Sequence, residues 1–253
     1  MGKKNDDIFF DSKKLPEPKA EFVCWIDIMG SQATMTTVIN RAANFIFKFH
    51  ACVLECRDTN NIDVTYYPVM DGVYITSANI EALQTAINTI FKRLATIFAK
   101  EYNLDHSFII RGAIAFGPVI HGRDISVDCN SYLGSADSNY KKQLLLGMPI
   151  SQCYNGERDA PPFGVYMHDS AIAFGKLSGR FYRWWNNDEE FIKKLEKGIV
   201  KYFEHCQNRI HSLGMDKDKI EKYKALSKEY FTLSNAPTYR AHPHGFEAGV
   251  KQA

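Results

Sequence analysis

The sequence predicts an α+β fold: a ferredoxin-like βαββαβ core followed by an added C-terminal helical segment. Three observations predict it. Apolar runs of strand length alternate with segments of helical period up to residue 120. Two of the strand runs are consecutive and joined by turn formers. Beyond residue 176 the helical period dominates. The chain has 253 residues, 45% hydrophobic and 24% charged, with 16 Gly and 9 Pro. That composition excludes collagen-like, low-complexity and mostly disordered chains, and the length suits one large domain or a core with an addition.

Residues 1–20 are charged, carry Pro16 and Pro18, and read as an N-terminal tail. EFVCWIDIMG is an apolar run that stops at Gly30, a buried strand. Over 33–57, Val38, Ala42, Ile46, Phe49 and Val53 recur at helical spacing. IDVTYYPVMDGVYITS places two β-rich runs around Pro68 and the Asp71-Gly72 pair, a hairpin. Residues 79–101 are helical again, with Leu83, Ile87, Ile90, Leu94, Ile97 and Phe98 on one face. SFIIRGAIAFGPVI is a long strand with Gly112 and Gly117 marking bends or close backbone approaches. Residues 121–146 are polar and fit either helix or loop. A helix is expected after Gly147 and Pro149, and FGVYMHDSAI reads as a fifth strand followed by a turn.

This places the core at 21–175 and a helical extension with a tail at 176–253. In the extension, Ile192, Leu195, Ile199, Tyr202, Cys206, Ile210 and Leu213 form one stripe ending at Gly214, and DKIEKYKALSKEYF forms a second helix. Tyr182, Trp184 and Trp185 could stack a base, although packing is the commoner use of such residues.

Net charge is +2, divided into −3 over 1–175 and +5 over 176–253. That balance predicts neither nucleic-acid nor membrane-surface binding. The six cysteines are scattered without zinc spacing, as expected of reduced thiols. The N-terminus lacks the apolar core of a signal peptide, Asp6 stands where myristoylation needs Ser or Thr, and no stretch nears 20 apolar residues. The expectation is a soluble, cytoplasmic protein.

Two carboxylates stand out. Asp27 ends an apolar strand and Asp71 sits at the hairpin. Desolvating a carboxylate is costly unless it is paired or bound to metal. In a βαββαβ sheet the first strand neighbours the second strand of the hairpin, so both carboxylates can project at one sheet end. Two oxygen donors held that way suit Mg²⁺ or Mn²⁺ shared with phosphates. The alternative is one strand-end Asp capping a turn and one ordinary hairpin Asp. The turn Met29-Gly30-Ser31-Gln32 leads from strand to helix, where backbone N–H groups can hold a triphosphate.

Taken together, FVCWIDIMG, YYPVMDGVYIT and FIIRGAIAFGPVIHG, in that order, resemble the catalytic core of class III nucleotidyl cyclases over roughly residues 20–175. The compact RGAIAFG strand, the GMPI…CYNGE run and Lys222-Tyr223 in the C-terminal helical part look closer to the pyrimidine cyclases of the Pycsar antiphage systems. The resemblance implies that Asp27 and Asp71, with the carbonyl of Ile28, bind two divalent ions, Mn²⁺ or Mg²⁺. It implies that Met29, Gly30, Ser31 and Gln32 cradle phosphates, with Arg111 supporting the phosphates or the metal carboxylates. Tyr67 and Leu144 fall at the base-selecting positions, where neither adenine-reading residue is present. A tyrosine disfavours purines and favours a smaller base, UTP first and CTP second. The family's transition-state Asn and Arg align with Ser151 and Asn155, a departure for which Gln152 and Arg158 are nearby substitutes. Family enzymes build each site from two chains, which implies a homodimer. Strands apolar on both faces point the same way, since the second face needs a partner or the C-terminal helices to cover it. The competing readings are a non-catalytic nucleotide-binding module on the same fold and a polymerase-like palm. The −3 charge of the core disfavours the palm.

Overall fold

The computed structural model describes residues 11–59, 62–136, 138–175, 177–185, 188–208 and 216–232. Its seven-stranded sheet runs in the order β2-β3-β1-β4-β6-β7, with β5 pairing β4. The strands are β1 (Lys19–Ile28), β2 (Thr65–Val69), β3 (Gly72–Ser77), β4 (Ile110–His121), β5 (Leu145–Gly147), β6 (Val165–Met167) and β7 (Phe181–Tyr182). The central antiparallel trio β3-β1-β4 is the core of the expected plan.

The segment read as one helix over 33–57 is two: α1 (Ser31–Thr37) and α2 (Ile39–Thr59), broken at Val38, whose φ of −143° and ψ of 82° are not helical. α3 (Ile80–Lys100) is N-capped by Asn79, which accepts from the N–H groups of Glu81 and Ala82. α2 and α3 bury Phe45, Phe49, Leu83, Ile87, Ile90 and Phe91 against the even-numbered β1 residues Phe22, Cys24, Ile26 and Ile28. Alternation along β1 sends Val23, Trp25 and Asp27 to the other face. The ambiguous stretch forms two short helices, α4 (Ser131–Ser135) and α5 (Ser138–Lys142), before β5.

The second sheet face departs from expectation. α6 (Met148–Gly156), rather than the C-terminal helices, packs on it. Cys153 of α6 is fully buried with Val23, Ala113 and Ala115, and its thiol donates to the Val23 carbonyl at 3.0 Å. Pro149 in the first turn and a single buried Cys are too short a pattern to announce a covering helix. α7 (Asp169–Gly175) follows β6. The C-terminal α8 (Glu189–Asn208) and α9 (Lys217–Thr232) instead extend the first core, through Leu195, Ile199, Tyr202, Phe203, Ile220 and Tyr230. Ile210, His211, Leu213, Gly214, the first ten residues and the C-terminal tail lie outside the described residues.

The N-terminal tail is shorter than its composition suggests. Lys19 and Ala20 already pair with Val119 and Pro118, and the Asp11 N–H reaches the Cys129 carbonyl at 3.0 Å. Trp184 donates its indole N–H to the Phe163 carbonyl at 2.7 Å, and Trp185 packs on Tyr230 and Phe231, so these aromatics are core residues. All six cysteines are buried thiols. Among the described residues no helix is long and apolar enough to cross a membrane.

Candidate functional site

Register brings the two aspartates together. Asp27, the ninth residue of β1, lies opposite Gly72 on β3 and Arg111 on β4. Asp71 immediately precedes Gly72 in the β2–β3 turn. Gly72 is required there, because a Cβ would run into the Trp25 ring and stand 2.6 Å from the Ile26 carbonyl. Buried Ser31, in the first turn of α1, donates its hydroxyl to the Asp71 carboxylate and ties the helix to the hairpin.

These residues line an open cleft of about 970 Å³. Its floor holds three carboxylates, because Glu157 joins Asp27 and Asp71. Glu157 begins the single 3₁₀ turn after α6 and is 4% exposed. It pairs with Arg111 and shares a hydrogen bond with Asp27. Burial, then the neighbouring Asp71 and Glu157, push the Asp27 carboxyl up to about 8, against the pull of Arg111. Burial raises Glu157 as well. Arg111 donates to the Tyr223 hydroxyl of α9, and its guanidinium lies 5.1 Å from the centre of the same ring. Arg158 lies 5.8 Å from the Tyr154 ring centre at the rim.

The turn after β1 has the shape the sequence implies. Gly30 sits in the left-handed region (φ 76°) and starts α1, whose first-turn N–H groups have no intrahelical acceptor. Ile28, Met29, Gly30, Ser31 and Gln32 all line the cleft. The Met29 N–H is already committed to the Ile109 carbonyl at 2.9 Å, which leaves the cradle to Gly30, Ser31 and Gln32.

The residues assigned to the base and transition state separate. Tyr67 does not line this cleft; it is 3% exposed, with its hydroxyl bonded to His121 Nδ1. His121 Nε2 lies 3.0 Å from Glu21. Leu144 immediately precedes β5 and does not line the cleft; its side chain packs at Gly122, and its carbonyl accepts from the Gly122 N–H at 2.9 Å. Ser151 and Asn155 are exposed on α6 and Gln152 is half-buried there; none of the three lines the cleft. Arg158 alone of that set does.

Sequence reasoning missed Glu157, Lys219 and the cleft role of Tyr223. Glu157 closes the polar run CYNGE, where an acid reads as solvated. The other two lie more than 100 residues from Arg111, beyond any local pattern.

Among the described residues no group of three or more His, Cys, Asp or Glu side chains is placed to hold a metal ion by itself. Two carboxylates fit a magnesium-type ion nonetheless, since such ions keep waters and share substrate phosphates rather than fill an all-protein cage. Burial first, and then the neighbouring carboxylates, raise Asp27, and a divalent cation bound there would favour its charged form.

No protein-family model matches the chain, and no curated protein sequence matches it. Solved structures similar to it include cyclase domains. One is the monomeric guanylyl cyclase domain of the RhoGC fusion protein from the aquatic fungus Blastocladiella emersonii, at 13% identity and TM-score 0.46, covering 64% of this chain and 89% of that one. Another is a bacterial light-regulated adenylyl cyclase, at 16% identity and TM-score 0.47, covering 62% of this chain and 46% of that one. A third is the guanylate cyclase domain of RhGC from Catenaria anguillulae in complex with GTP, at 15% identity and TM-score 0.46, covering 64% and 86%. The Blastocladiella domain has been solved both as a monomer and as a dimer.

Proposed function

We propose that this protein is a metal-dependent nucleotidyl cyclase that converts a pyrimidine nucleoside triphosphate, UTP with CTP as the alternative, to its 3′,5′-cyclic monophosphate and pyrophosphate. The observation that supports it most is the convergence of Asp27 and Asp71 beside the Gly30–Gln32 turn in one open cleft. A non-catalytic module has no need to hold three carboxylates together, two of them desolvated.

Asp27, Asp71 and the Ile28 carbonyl would hold two Mg²⁺ or Mn²⁺ ions, which when bound would acidify the ribose 3′-hydroxyl and neutralise the α-phosphate. Ser31 orients the Asp71 carboxylate. The N–H groups of Gly30, Ser31 and Gln32 bind and orient the polyphosphate. Glu157 and Tyr223 hold Arg111 next to Asp27, so that it offsets the carboxylate charge. The rim residue Arg158 faces the cleft and adds positive charge where the negative triphosphate enters.

The pyrimidine choice rests on Tyr67, with Leu144, at the base-selecting positions of the resembled family. Tyr67 lies outside the cleft of its own chain, so this choice goes with a homodimer in which one chain supplies the aspartates and the other the base pocket. The cyclic nucleotide would act as a cytoplasmic second messenger in bacterial antiphage defence.

Substrate competition tests the base assignment. Tyr67→Ala is expected to change the UTP/ATP ratio of kcat/KM about tenfold or more while the variant stays folded. An unchanged ratio would leave Tyr67 a packing residue of the hairpin bonded to His121.

A further inference from the structure

The geometry points to the C-terminal helix α9 as part of the site: Lys219 and Lys222 bind the pyrophosphate portion of the substrate and hold the leaving group. This deepens the cyclase reading and rests on it for the identity of the substrate.

The inference begins with Arg111. It is the cation nearest the carboxylates, ion-paired with Glu157 and bonded to the Tyr223 hydroxyl, and its side chain is only 12% exposed. It balances charge inside the floor, and its burial and its pairing with Glu157 keep it from reaching out to an incoming polyanion. The remaining cations that line the cleft are Arg158, Lys219 and Lys222.

The two lysines differ from Arg111 in every relevant respect. Their side chains are 61% and 50% exposed. Their acidic partners are solvated: Asp216 at 3.1 Å for Lys219, and Asp159 at 3.6 Å for Lys222. Solvated pairs of this kind are worth little, so a phosphate oxygen can displace them at small cost. Lys222 is also anchored across the cleft, donating to the Arg158 carbonyl at 3.2 Å. It therefore bridges α9 to the rim that follows α6.

The position of α9 is fixed rather than incidental. Tyr223, next to Lys222, is buried and bonded to Arg111, the β4 residue opposite Asp27. Tyr230 and Phe231 anchor the far end of the helix in the core. The two lysines are thus held over the same cleft as Gly30–Gln32. A lysine ammonium suits a flexible polyphosphate, because it acts as a point charge with three rotatable donors.

The test uses inorganic pyrophosphate as the probe, measured by calorimetry with Mg²⁺ on the full chain, alongside steady-state kinetics with UTP. Lys219→Ala and Lys222→Ala are each expected to weaken pyrophosphate binding about fivefold or more. KM is expected to rise by a similar factor with kcat nearly unchanged, as for loss of uniform binding. Lys222→Arg should recover most of the loss, and Lys228→Ala, on the same helix away from the cleft, should change nothing. Unchanged pyrophosphate affinity in both alanine variants would overturn the inference. So would wild-type protein that binds no pyrophosphate, or a Lys222→Ala defect that Lys222→Arg leaves uncorrected. The two readings fail separately. A protein that binds pyrophosphate through these lysines but cyclises no triphosphate removes only the cyclase reading. One that cyclises with unaltered pyrophosphate affinity in the variants removes only the role of α9.

Discussion

Asp27→Asn and Asp71→Asn are each expected to reduce the proposed cyclase turnover by about a thousandfold or more while the fold survives. A thousandfold is about 4 kcal/mol of transition-state stabilisation, a reasonable loss when one of two charged ligands becomes neutral. The fold should tolerate both changes, since Asn keeps the size of Asp and neither residue belongs to the apolar core. Circular dichroism and a melting curve verify the fold, and turnover with Mn²⁺ and UTP gives the effect. Near wild-type turnover in either variant, with unchanged metal dependence, would contradict the assignment.

The same residue gives the second large effect, on stability. The Asp27 carboxyl is raised from 3.8 to about 8 by burial and by its carboxylate neighbours. A raised acid binds its proton more tightly in the folded state. Its stabilising contribution is therefore complete below about pH 4 and is lost progressively as pH rises towards 8. Metal-free protein should lose on the order of 3 kcal/mol across that window from this group, the proton shared with Glu157 keeping the value below that of an isolated shift. Asp27→Asn removes the ionisation. In chelator it should therefore be more stable than wild type at pH 8 and similar at pH 4.5. Denaturant titrations at the two pH values measure this. A wild type whose stability rises over the window by as much as that of the variant would mean that Asp27 is not held neutral.

A carboxylate ending an otherwise apolar strand stands out from its neighbours, and that contrast made the position of Asp27 at the sheet end legible in the sequence. Asp71 was legible through topology, since a βαββαβ order brings the hairpin beside the first strand. The helices over α2 and α3 were legible because each carries five or more apolar residues at helical spacing. What the sequence did not show has physical reasons. Glu157 ends a polar run and becomes a buried partner only because α6 folds onto the second sheet face. α6 itself has just Pro149 and Cys153 buried, too few for a detectable stripe. The link from Tyr223 to Arg111 spans 112 residues, so no local pattern encodes it. The break at Val38 follows its extended backbone within an otherwise continuous apolar period.

The most direct measurement of the central claim is product identification. Purified protein is incubated with Mn²⁺ and each of UTP, CTP, ATP and GTP, and the products are resolved by chromatography and mass. The account predicts a 3′,5′-cyclic pyrimidine monophosphate and pyrophosphate in equal amounts, UTP the preferred substrate, and loss of both products with chelator or with Asp27→Asn. No cyclic product from any of the four triphosphates, under conditions where the protein binds Mn²⁺ and triphosphate, would contradict it and leave a nucleotide-binding module on the same fold.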